Sequence, residues 1–121
     1  MTNGLSLFSN VGIAETYLKE CGIDIVLANE LLEERANFYK HVYPECEMIT
    51  GDITDENVYN DILRKAKAKN IEFVIATPPC QGMSIAGHNS PRDERNSLVK
   101  YAVDMIVELK PKFALLENVT Q

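Results

Sequence analysis

The 121-residue chain lacks several things, and each absence narrows what it can be. No apolar run approaches the roughly 20 residues of a membrane-spanning helix. The opening Met-Thr-Asn-Gly has no basic flank, so a secretory leader is not expected. Cysteines number three (Cys21, Cys46 and Cys80) and have no paired spacing. An odd, unpaired set points to free thiols in a reducing compartment, and a cytoplasmic location is expected. There is no Cys-x-x-Cys pair and the two histidines stand alone, so no metal site is expected. Basic residues are also short: 12 Lys and Arg against 18 Asp and Glu leave a net charge of −6. A protein that grips a phosphate backbone by itself is usually basic. The deficit is uneven, because residues 1–60 carry 3 basic and 11 acidic side chains whereas residues 61–121 carry 9 and 7. Nucleic-acid contacts are therefore expected from the second half, or from another chain.

What is present is ordinary for one small globular domain: 45% hydrophobic and 25% charged residues. Short apolar runs alternate with segments of helical period. Strands are expected at Leu5–Phe8, Ile25–Ala28, Met48–Thr50, Phe73–Ala76 and Phe113–Leu116. Helices are expected at Ile13–Cys21, stopped by Gly22, and at Leu31–Val42, ended by Pro44. A third, capped by Thr54 or Asp55, runs to about Lys69; its Lys/Arg cluster at 64–69 reads as a solvated helix end. A fourth carries Leu98, Ala102, Met105, Ile106 and Leu109 on one face. Phe73–Ala76 is apolar throughout, as a strand buried on both faces should be. The alternation predicts an α/β fold, Rossmann-like and doubly wound, with a mainly parallel sheet. Such a sheet normally continues with a further helix and strands, so the chain reads as partial.

In doubly wound folds ligands bind at the carboxyl ends of the strands. The first tip, Phe8-Ser9-Asn10-Val11-Gly12-Ile13, offers backbone N–H groups to an anionic group, but by itself it is an ordinary turn with one tight glycine. Glu30 lies eighteen residues after Gly12, near the spacing at which an acid reaches a ribose diol. It reads equally as an acid favoured by a helix N-terminus. Asp52 in Gly51-Asp52 suits an adenine amino group, and equally a turn before the third helix. The fourth tip is the sharp signal: Thr77-Pro78-Pro79-Cys80-Gln81-Gly82-Met83-Ser84. Two prolines stiffen the turn and set one thiol at the cleft edge, where backbone amides can lower its pKa. A thiolate there is a nucleophile toward an electron-poor ring carbon. Cys21 reads instead as a small buried hydrophobe on the first helix, and Cys46 as a loop residue without special context.

Pro79-Cys80-Gln81 within Pro-Pro-Cys-Gln-Gly-Met-Ser, followed by Glu117-Asn118-Val119, resembles the DNA cytosine-5 methyltransferases. Ser6-Leu7-Phe8-Ser9-Asn10-Val11-Gly12 is similar to that family's first motif, Asp-Leu-Phe-x-Gly-x-Gly-Gly. Here Ser6, Asn10 and Ile13 replace the family's aspartate, a glycine and the last glycine. Asn tolerates left-handed backbone angles, so the turn is expected to survive. The resemblance runs from about Leu5 to Val119. It implies the N-terminal part of an S-adenosylmethionine-dependent methyltransferase fold over residues 1–121. The family's later Gln-x-Arg-x-Arg motif, target-recognition region and closing motifs have no counterpart.

The resemblance also implies roles. Cys80 attacks cytosine C6, and Glu117 hydrogen-bonds N3 and the exocyclic amine. Pro79, Gln81 and Asn118 shape the catalytic loop. Phe8, Ser9, Asn10, Gly12, Glu30, Asp52, Ile53 and Pro78 line the pocket of the cofactor, S-adenosyl-L-methionine. The target base is flipped out of the duplex. The implied setting is restriction–modification, with DNA as partner and a complementary methyltransferase chain supplying the missing elements. Alternatives are an RNA cytosine-5 methyltransferase of the same architecture, an inert cofactor-binding fragment and, more distantly, a nicotinamide dehydrogenase.

Overall fold

Five strands pair in parallel in the order β3-β2-β1-β4-β5: β1 (Thr2–Leu7), β2 (Ile23–Glu30), β3 (Glu47–Thr50), β4 (Phe73–Ala76) and β5 (Phe113–Leu116). The computed structural model describes residues 1–79 and 94–117, the second stretch with side chains from Leu98 onward. Three helices connect the strands: α1 (Glu33–Val42), α2 (Glu56–Ala68) and α3 (Glu94–Leu109). The strand order reverses between β1 and β4, so the crevice for a ligand opens above the ends of those two strands. The alternation of apolar runs and amphipathic segments had predicted this doubly wound architecture.

The two faces of the sheet are packed differently. On one, Leu5, Leu7, Leu27, Ile49, Val74 and Ala76 meet Ile62 and Ala66 of α2 and Ala102 and Met105 of α3. Each fully buried Leu or Ile there contributes about 1.5–3 kcal/mol through burial. On the other, small side chains at Ser6 and Ala28 make room for Tyr39 of α1, which is completely buried against Ala28 and Cys46. β4 is buried on both faces, as expected of a central strand: none of its four residues is more than 7% exposed. Asp55, not Thr54, caps α2, accepting from the N–H groups of Asn57 and Val58. The Lys/Arg cluster that ends α2 is not wholly solvated. Lys65 and Lys69 both reach the Glu47 carboxylate, at 2.6 and 3.2 Å, and tie the helix to the start of β3.

The predicted helix over 13–21 is corrected. Its backbone bonds run from residue i+3 to i, as in Glu15 N–H to Gly12 O and Leu18 N–H to Glu15 O, and only Lys19–Cys21 form a regular 3-10 turn. Glu15 is drawn under the sheet, 5% exposed, which suits this tighter winding. The Gly22 stop holds: it is left-handed (φ 85°), and Gly22 and Ile23 donate back to Lys19 and Leu18. Cys21 is exposed rather than buried, because the tight turns rotate it outward. Cys46 is the buried thiol, 9% exposed, with its Sγ 3.8 Å from the Tyr39 hydroxyl.

Candidate active site at the carboxyl ends of the strands

Where β1 ends, the chain makes a turn that few side chains tolerate. Phe8 (φ 56°), Asn10 (φ 54°) and Gly12 (φ 85°) are all left-handed. The expected tolerance of Asn at position 10 is thus realised. Phe8 is the strained member, since a bulky residue in this region costs about 1–3 kcal/mol. It is held from β4, because Thr77 Oγ1 donates to Phe8 O at 3.0 Å. From β2, Ser9 N–H is held by Asn29 O at 3.1 Å.

Glu30 is the hub of the site. It ends β2, is 6% exposed, and divides its carboxylate between two neighbours. Oε1 accepts from Asn10 N–H at 2.9 Å and Oε2 from Leu32 N–H, ahead of α1, at 2.8 Å. It therefore does sit at a helix start, as one reading of the sequence held, and it also fixes the first tip. Each carboxylate oxygen keeps a further lone pair for a hydroxyl donor. Asn29, which sequence reasoning missed, links the second and third tips by donating through Nδ2 to Ile49 O (2.8 Å) and Gly51 O (3.0 Å). Its signal was a lone amide near the end of an apolar strand.

At the third tip Asp52 is exposed, and its Oδ1 accepts from both Thr54 N–H (2.9 Å) and Thr54 Oγ1 (2.7 Å). Oδ2 has no partner among the described residues and is available to a ligand. Ile53 is 3% exposed and packs in the core, so only its backbone remains for a ligand. At the fourth tip Pro78 is fully buried and Pro79 exposed. Cys80 and Gln81 lie outside the described residues, as do Asn118, His88 and the Arg95 side chain. Glu117 is exposed, one position past β5, and its N–H donates to Ala76 O at 2.9 Å. The segment carrying Cys80 and the segment carrying Glu117 thus leave the sheet from adjacent strands.

The site has groups waiting for a ligand. Ser9 Oγ is buried without a partner, and Val11 and Ile13 have no acceptor for their N–H groups among the described residues. A molecule with hydroxyls for Glu30 and an anionic or carbonyl group for these donors fits the residues present. The other thiol close to the sheet, Cys46, is no nucleophile: burial pushes it up to about 11 and keeps it protonated. Burial likewise raises Glu15, and the nearby Tyr39 and Ser6 hydroxyls offset the rise in part.

The family model of C-5 cytosine-specific DNA methylases matches residues 2–121. The Type II methyltransferase M1.HgaI of Avibacterium volantium is 48% identical over 96% of this chain and 34% of its own length. The Type II methyltransferase M.XorII of Xanthomonas oryzae is 33% identical over 96% of this chain and 28% of its own. Among solved structures, that of Spodoptera frugiperda DNMT2 superposes with a TM-score of 0.71 at 25% identity, over 99% of this chain and 36% of that one. The chain spans about a third of the length of the curated relatives it matches.

Proposed function

Because the chain belongs to the C-5 cytosine-specific DNA methylase family, we propose that it is the N-terminal, cofactor-binding and nucleophile-bearing part of an enzyme that methylates cytosine C5 in DNA. The observation that carries the reading is the Glu30 hub, which joins the tips of β1 and β2 beside the sheet's switch point. The proposed cofactor, S-adenosyl-L-methionine, supplies an electrophilic methyl group when bound. Glu30 takes its ribose hydroxyls. Asp52 Oδ2 and the Ile53 backbone take its adenine edge, and the 9–13 loop takes its amino-acid end. Phe8 and Pro78 wall the pocket.

Cytosine C5 is a weak nucleophile until the ring is made electron-rich. The Cys80 thiolate adds to C6 and the C5–C6 π electrons shift toward N3, where Glu117 donates a proton or hydrogen bond. C5 is then nucleophilic. After C5 is alkylated its proton leaves to a base, the C6–S bond breaks, and Cys80 is released as thiolate. Pro79 and Gln81 hold the Cys80 loop and Asn118 holds Glu117. The reaction needs the base out of the helix. With a net charge of −6, this chain is a poor phosphate grip. The DNA-reading surface therefore belongs to the remainder of the methyltransferase, in the same polypeptide or in a complementary one.

Titrating the chain with S-adenosylhomocysteine tests the pocket. Binding is expected, and Glu30→Ala is expected to weaken it at least tenfold. Unchanged binding by Glu30→Ala would sink the assignment. With the remaining methyltransferase portion present, DNA carrying 5-fluorocytosine tests the chemistry, since C5 then has no proton to lose. A covalent adduct with wild type and none with Cys80→Ser is the expected result.

A further inference from the structure

The 9–13 loop is seated on two tyrosines that no motif includes. Tyr39 and Tyr43 lie one turn apart at the end of α1, with ring centroids 4.8 Å apart and planes tilted by 42°. Tyr43 is 31 residues from Gly12, yet its hydroxyl donates to Gly12 O at 2.8 Å. A Cβ on Gly12 would collide with Tyr43 Cε2 and come within 2.9 Å of Tyr39 Cε2. Gly12 is thus required for two reasons, its φ of 85° and the aromatic floor beneath it.

We propose that Tyr43, braced by Tyr39, is a positioning residue that sets the Gly12–Ile13 peptide for the amino-acid end of the cofactor. In a trans peptide the C=O and the following N–H point to opposite sides. A hydroxyl that holds Gly12 C=O against α1 therefore turns Ile13 N–H the other way. Ile13 N–H has no acceptor among the described residues. Fixed in that direction, it presents a donor for the cofactor's carboxylate. Tyr39 is buried completely and bonded to the Cys46 thiol, so the floor itself does not shift. The chain has Ile13 where a glycine would be freer to turn; within the turn Gly12 O accepts only the long bond from Glu15 N–H, at 3.3 Å, and the Tyr43 hydroxyl adds a shorter one from outside it.

The inference rests on the cofactor reading, and two measurements keep the fates of the two apart. In Tyr43→Phe the ring packing remains and only the hydroxyl is lost. Hydrogen exchange of the unliganded chain is expected to quicken in residues 9–16 by about tenfold, and to stay unchanged in β1 and β4. Affinity is expected to fall about fivefold for S-adenosylhomocysteine, as for one lost positioning bond, and to hold for methylthioadenosine, which has no carboxylate. Exchange that does not change, or equal losses for both ligands, would overturn the positioning role. The expected exchange difference between Tyr43→Phe and wild type, together with a wild-type chain that binds neither ligand, would overturn the cofactor reading instead.

Discussion

Asn10 shows how one side chain preserves a turn built for glycine. Its φ of 54° is one that Asn reaches at little cost and Ala does not. Asn10→Gly is expected to leave stability within a few tenths of a kcal/mol, and Asn10→Ala to cost about 1 kcal/mol. The latter is a fall of roughly 4 °C in melting temperature for a domain of this size. Equal melting of the two variants would show that the angle is not what selects the residue. Glu15 makes a prediction of a different kind. Burial raises its carboxyl above the unfolded value, so the folded chain holds a proton that the unfolded chain has already lost. Stability from this group therefore declines as pH climbs from the ordinary carboxylate range through the raised value, by at most about 1.4 kcal/mol per pH unit. Tyr39, Ser6 and Cys46 around it are neutral across that range, so none offsets the decline. Denaturant melts of Glu15→Gln between pH 4 and 8 are expected to lose this slope. A slope that survives the substitution comes from another titrating group.

At the scale of elements, α2 owes its start to Asp55, whose Oδ1 accepts from Asn57 N–H at 2.8 Å and Val58 N–H at 3.4 Å. Asp55→Ala is expected to cost about 1 kcal/mol in chemical denaturation. Thr54→Ala is expected to cost less, because the Thr54 hydroxyl serves Asp52 instead. Both candidates looked alike in sequence, and only the backbone geometry separates them. The bounds of β4 and β5 were legible because four apolar residues flanked by Glu, Lys or Thr leave no other frame. The 13–21 segment was not legible, since over nine residues a period of 3.6 is hard to tell from one of 3.0. The decisive fact there, a carboxylate pulled inward to Tyr39 and Ser6, joins residues far apart in sequence. The same holds at the site. Glu30 could be picked by its spacing from Gly12, but not its bond to Asn10. The Tyr43–Gly12 contact spans 31 residues and has no local signal.

At the scale of the whole molecule, the sheet ends at β3 on one side and at β5 on the other. β5 pairs with β4 through Phe73↔Phe113 to Ala76↔Leu116, and its other edge pairs with no described residue. Phe113 and Leu115, on the same face as the buried Phe73 and Ile75, are 64% and 47% exposed. Parallel strands are normally covered on both faces, and an exposed apolar edge is a template for pairing. The matched relatives and the superposed structure carry about two thirds of their length outside this alignment. On the function proposed above, the occupant of this edge is the remainder of the methyltransferase, packed beyond β5 and over Phe113 and Leu115. Supplying that remainder as a separate polypeptide is expected to raise the melting temperature of the chain, since a partner that binds only the folded form stabilises it by mass action. Leu115→Lys is expected to cancel the rise and leave the chain's own melting nearly unchanged, because β5 is held to β4 through its backbone. An equal rise in both variants would put the contact elsewhere. A chain that dimerises through wild-type Leu115 and ignores the added polypeptide would mean that the open edge is used by a second copy. DNA methylation would then have to be sought without a contact at β5.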